Sequence, residues 1–119
     1  MDIRHQKQDE SNELYQEYSR VEEVKKYISE NIDCDLSAAV VSKKFELSVS
    51  SLQHLFKNNS GLSYHQYLEK IRMEKAFELI NKEGKRVQQT MYATGYKYKS
   101  TFNKAFKKKY KFPPSYFLK

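Results

Sequence analysis

The sequence predicts an all-α fold: two small helical lobes joined by one long helix, about seven helices in all. Three observations predict it. First, no alternation of apolar and polar residues persists anywhere along the 119 residues, so no half-buried strand is expected. Second, one helical pattern occurs twice, fifty residues apart. Residues 50–57 (SSLQHLFK) line up with residues 100–107 (STFNKAFK), and further on Leu62 meets Phe112, Tyr67 meets Phe117 and Leu68 meets Leu118. Third, residues 63–82 carry two apolar stripes, Tyr64, Tyr67, Leu68 and Ile71, then Met73, Ala76, Phe77 and Ile80. At about 100° per residue the stripes point roughly 150° apart. A helix whose stripe swaps sides packs on a different core with each half.

The elements follow in order. Residues 1–10 are polar, lack apolar periodicity, and are expected to be frayed or disordered. Leu14, Tyr18, Val21, Val24 and Ile28 then form a helical series, and Ser19 and Glu22 have capping-box spacing. This predicts a helix over 19–31, with 11–18 either extending it or forming a linker. Ser37 caps a short helix over 37–45, and Ser48 caps another over 48–59 after a tight turn. Gly61 stops that helix, Ser63 opens the long one over 63–82, and Glu83–Gly84 ends it. Residues 87–94 and 98–110 form two more, separated by a turn at Gly95. Pro114 opens a last helical turn to residue 118. The predicted organisation is a polar tail or linker (1–18), a first lobe (19–62), a linking helix (63–82) and a second lobe (83–119). A lobe of about fifty residues buries little apolar surface by itself, so the two are expected to share the long helix.

The net charge is +7 and unevenly spread. Residues 1–35 carry five Lys/Arg against ten Asp/Glu, and residues 36–119 carry seventeen against five. The basic character therefore lies in the repeated region, most densely at 97–111, which favours a polyanion as partner. A single cysteine, Cys34, makes no internal disulfide and offers no zinc cluster, so a reduced cytoplasm is the expected compartment. No apolar run is long enough to span a membrane. His5, His54 and His65 are scattered, and there is no nucleophile with a base, no paired-carboxylate pocket and no phosphate-cradling glycine loop. Neither an enzyme, nor a metal site, nor a cofactor is expected.

Two helices remain as candidate readers of the polyanion. In 48–59, Leu52, Leu55 and Phe56 face inward and Ser50, Gln53, His54 and Lys57 face out. In 98–110, Phe102, Ala105, Phe106 and Tyr110 face inward and Lys99, Ser100, Asn103 and Lys104 face out. Gln and Asn are bidentate partners for adenine, and Lys suits guanine O6 and N7. Lys57, Lys107, Lys108 and Lys109 suit phosphates. Singly, each is an ordinary surface residue. The specific signal is a short helix, a turn and an outward-polar helix, occurring twice.

These positions resemble the AraC/XylS family of bacterial transcription regulators. The resemblance rests on Leu47–Ser48, Leu52–Gln53–His54–Leu55–Phe56–Lys57, Gly61, Tyr67–Leu68, Arg72 to Ala76, Gly95–Tyr96, Phe102 to Lys107 and Pro113–Pro114. It implies two helix-turn-helix subdomains, homeodomain-like three-helix units, on the long linker helix. It further implies a sequence-specific double-stranded DNA-binding regulator, an activator, whose two recognition helices enter successive major grooves. Val49, Ser50, Gln53 and His54 would then read bases in the first half-site, and Lys99, Ser100, Asn103 and Lys104 in the second. Backbone amides near Ser63 and Tyr64 would hold phosphate. RNA polymerase and a separate effector or dimerisation domain are the further partners implied, although no such domain fits within residues 1–35. The chain departs from the family pattern at Ser42, Thr90–Met91, Lys111 and Phe117–Leu118. A bulky Met91 at a tight crossing predicts altered packing in the second subdomain and two unequal copies. The alternative reading is a helical protein-interaction module derived from such a domain, with weak or non-specific DNA binding.

Overall fold

A computed structural model describes the backbone of residues 3–118 and the side chains of residues 12–118. The first helix, α1, runs Ile3–Glu30, so the start expected at Ser19 is corrected. No glycine or proline interrupts residues 3–30, and Glu13, Leu14 and Glu17 are strong helix formers. Capping-box residues act as a start signal only where the chain before them is not already helical, and here it is. Of the two alternatives for residues 11–18, extension of the helix is the one observed, and residues 3–10, most of the segment expected to be frayed or disordered, are helical as well. Residues 1 and 2 of that segment lie outside the described residues.

The later starts and stops follow their caps. Ser37 Oγ accepts from the Val40 amide (3.4 Å) at the head of α2, Ala38–Lys44. Ser48 Oγ accepts from the Ser51 amide (3.0 Å) at the head of α3, Val49–Ser60. Gly61 ends α3 at φ 74°, its amide donating to the Lys57 carbonyl. A reciprocal capping box opens α4, Tyr64–Phe77: Ser63 Oγ accepts from the Gln66 amide and Gln66 Oε1 from the Ser63 amide. A π turn, Glu78–Lys82, extends α4 and buries both Leu79 and Ile80. Then come α5, Val87–Ala93, and α6, Lys99–Tyr110. The seventh expected helix is a single 3-10 turn, Pro114–Phe117.

Two cores form, and α4 serves both. Tyr64 and Leu68 join Val21, Val24, Ile28, Leu36, Val41, Leu52 and Phe56 in the first. Met73, Ala76 and Ile80 join Met91, Phe102, Ala105 and Phe106 in the second. The side-swapping stripe is thus the device that ties the two lobes together. The departures at Thr90 and Met91 fit the second core without an orphaned polar group. Met91 fills part of it, and the buried Thr90 hydroxyl donates to the Arg86 carbonyl (3.0 Å). Ser42 is likewise buried, its hydroxyl donating to the Ala39 carbonyl.

The two copies differ by one residue in the turn. Leu47 N–H donates to Ser42 O in the first, and Tyr96 N–H to Met91 O in the second, an offset of 49. The following helices, α3 and α6, are offset by 50. The second turn is therefore one residue longer, between a left-handed Gly95 and the start of α6.

Candidate nucleic-acid interface

Helices α3 and α6 are each twelve residues long and each buries one apolar edge, Leu52 and Phe56 in α3 and Phe102, Ala105 and Phe106 in α6. Their outer faces are polar. In α3, Val49, Ser50, Gln53, His54 and Lys57 are all exposed. His54 Nε2 pairs with Asn58 Nδ2 at 2.9 Å, one turn along the same face, which orients the imidazole. In α6, Lys99, Ser100 and Lys104 are exposed, whereas Asn103 is half-buried and presents less of its amide.

The heads of the two helices are built differently. Ser48 caps α3 with its hydroxyl, but Tyr98, at the same position of α6, makes no side-chain cap. The Tyr98 ring is instead 71% exposed beside the exposed Lys97 and Lys99.

The lysines expected at phosphates have partners of their own. Lys57 Nζ donates to the Gly61 carbonyl (3.2 Å), Lys108 pairs with Glu69 (3.9 Å) and Lys109 with Glu74 (3.7 Å). All three lysines are exposed or nearly so, and the two surface ion pairs, of Lys108 and Lys109, contribute little and leave those ammonium groups open to another anion. Among the described residues, Lys107 is in no ion pair and is exposed.

At the head of α4, the Ser63 and Gln66 amides are consumed by the capping box. That leaves the Tyr64 and His65 amides as first-turn donors for an anion. The Tyr64 side chain takes no part: it is buried, and its hydroxyl donates to the Leu36 carbonyl at 2.6 Å. Burial raises its pKa well above the ordinary tyrosine value. Beside this helix head a cleft opens between α4 and α6, lined by His65, Glu69, Thr101, Lys104 and Lys108 among others. Thr101 and His65 were not singled out from the sequence. Only the approach of α6 to the first turns of α4, a long-range contact, brings them beside Lys104.

Among the described residues no three His, Cys, Asp or Glu side chains converge as a metal site, and no helix is long and apolar enough to cross a membrane.

Comparison with known proteins agrees with this geometry. A family pattern described as a helix-turn-helix domain matches residues 41–119. The chain is 25% identical over 108 residues to the HTH-type transcriptional activator RhaR of Mannheimia succiniciproducens, covering 91% of the chain and 39% of that protein. It is 33% identical over 93 residues to the raffinose operon regulatory protein RafR of Pediococcus pentosaceus, covering 78% of the chain and 34% of that protein. The chain thus spans less than two fifths of the length of these curated relatives. Among solved structures it resembles the C-terminal domain of the response regulator yesN from Fusobacterium nucleatum (TM-score 0.77, 28% identity, 82% of this chain and 96% of that one). It is equally similar to the C-terminal domain of AraT, a response regulator from Geobacillus stearothermophilus (TM-score 0.78, 29% identity, 83% of each chain). These relatives are transcription regulators rather than enzymes, and the shared pattern, with two helix-turn-helix units on one linking helix, makes this chain a member of the AraC-type helix-turn-helix family of DNA-binding transcription regulators.

Proposed function

We propose that the chain binds double-stranded DNA sequence-specifically and activates transcription, with α3 and α6 entering successive major grooves on one side of the duplex. One observation carries the reading: two outward-polar helices of equal length stand on opposite halves of a single rigid helix. With its π turn, that helix is roughly 30 Å long, against about 34 Å for one turn of DNA. Val49, Ser50, Gln53 and His54 are the proposed base readers of the first half-site, and Lys99, Ser100, Asn103 and Lys104 of the second. Phosphates fall to Lys57, Lys107, Lys108 and Lys109 and to the amides after Ser63, chiefly that of Tyr64. Activation is suggested by the likeness to a relative named as an activator. It implies RNA polymerase as a partner, with control by an effector or dimerisation domain where one is joined to the chain.

The capped first recognition helix should carry most of the base discrimination, and the lysine-rich second most of the salt-dependent affinity. The test is binding to a selected duplex across a range of salt. Affinity should fall linearly on a log–log plot, with a slope set by the number of phosphates neutralised. Gln53→Ala should lose preference for the selected site more than Asn103→Ala does. If neither substitution changes the preference, the base-reading assignment is wrong.

A further inference from the structure

Arg72 lies on α4 between its two apolar stripes, where one core gives way to the other. It is only partly exposed, and its guanidinium spans the junction of the lobes. On one side Nε donates to the Ile32 carbonyl (3.3 Å) and Nη2 to the Cys34 carbonyl (2.9 Å), both in the loop between α1 and α2. On the other, its Cζ lies 5.8 Å from the centre of the Tyr96 ring, in the turn between α5 and α6. Tyr96 in turn packs edge-on against Phe102, a core residue of α6 (5.4 Å, 64°).

Gly95 closes this joint. It has φ 85°, and a Cβ there would stand 2.6 Å from Arg72 Nη2 and 2.7 Å from the Ile32 carbonyl oxygen. Neither the backbone oxygen nor the tethered guanidinium can yield cheaply. The second turn thus packs against a first-lobe carbonyl and the Arg72 guanidinium together. Among the described residues, the other polar link between the lobes is weaker in kind. Lys108–Glu69 is an exposed ion pair, which contributes little. Arg72 makes charge-assisted bonds to two carbonyls from a partly buried site, and its planar fork serves both at once.

From this we infer that Arg72 is a positioning residue that fixes the spacing and angle between the two recognition helices, by locking the second helix-turn-helix turn onto the α1–α2 loop. It touches no DNA in this role. The inference rests on the two-headed reading for its biological meaning, but the joint itself can be tested without DNA.

The test places spin labels at Asn59→Cys in α3 and Lys107→Cys in α6, both exposed positions, in a Cys34→Ser background that keeps the backbone carbonyl Arg72 uses. The interspin distance distribution is measured with Arg72 intact, with Arg72→Lys and with Arg72→Met, and folding is followed by circular dichroism. With Arg72 present the distribution should be single and narrow. Arg72→Lys keeps the stem and charge but loses the fork, and should broaden or shift it at unchanged helicity. Arg72→Met should do so further; if Arg72→Met fails to fold, Arg72→Lys alone decides. A folded Arg72→Lys protein with an unchanged distribution, or a broad distribution with Arg72 intact, overturns the inference. On duplexes whose half-site separation is changed by one or two base pairs, Arg72→Lys should flatten the spacing preference by about tenfold. Loss of spacing preference in every form, with narrow distances retained, would instead tell against two-headed binding and leave the joint standing.

Discussion

Tyr64 shows how closely one side chain can be tied to the fold. Its hydroxyl donates to the Leu36 carbonyl beneath the first core, 28 residues away, and its ring stands edge-on to Phe56. Tyr64→Phe keeps the ring but leaves a buried carbonyl unpaired, and should cost about 1–3 kcal/mol in urea unfolding. The pH dependence has a definite sign. Burial raises the folded-state pKa of Tyr64 above its unfolded value of about 10. The associated stability is complete below that unfolded value and is lost as pH climbs toward the folded one. Tyr64→Phe should therefore show a shallower alkaline loss of stability, read from unfolding midpoints at a series of pH values. Lys111 offers the opposite change. It sits at φ 73° where α6 ends, the place Gly61 takes after α3 at φ 74°. A lysine pays a left-handed penalty of about 1–2 kcal/mol that glycine avoids, less glycine's greater chain entropy when unfolded. Lys111→Gly should stabilise by up to about 1 kcal/mol in the same assay, whereas Gly95→Ala should destabilise strongly because its Cβ has no room.

Among the elements, the proposed division of work between α3 and α6 makes distinct predictions. Gln53→Ala should cost about 1–3 kcal/mol on the selected site and relax the sequence requirement at one position. Lys107→Ala should weaken binding to all sequences alike and lower the salt slope by about one. Titrations at several salt concentrations separate the two. Most helix boundaries were legible because they depend on local chemistry: Ser37, Ser48 and Ser63 cap, and Gly61 and Gly95 stop or turn. The stripe swap in α4 was legible for the same reason, since periodicity reports which face is buried. The start of α1 was misread because Ser19 and Glu22 have capping spacing inside a helix that nothing interrupts. The longer second turn was hidden because an alignment of α3 with α6 says nothing about the residues before them. The partners of Lys57, Lys108 and Lys109 and the approach of Thr101 to His65 were not legible either. They follow from how an element ends or from contacts far apart in sequence.

In the whole molecule, the decisive quantity is the spacing of the two lobes. Two cores share α4, so the lobes cannot separate without exposing Tyr64 and Leu68 on one side or Met73 and Ile80 on the other. The basic charge is uneven between the lobes: residues 83–119 carry ten Lys/Arg against one Asp/Glu, whereas residues 19–62 carry six against six. On the proposed function, what α3 and α6 read is therefore inseparable from how far apart they are held. Selection of bound duplexes from a random library at fixed, near-physiological salt tests this most directly. The expected result is a bipartite site with half-sites about 10–10.5 base pairs apart, centre to centre, the first half better defined than the second. Recovery of a single isolated half-site, or of two halves with no preferred separation, would contradict it.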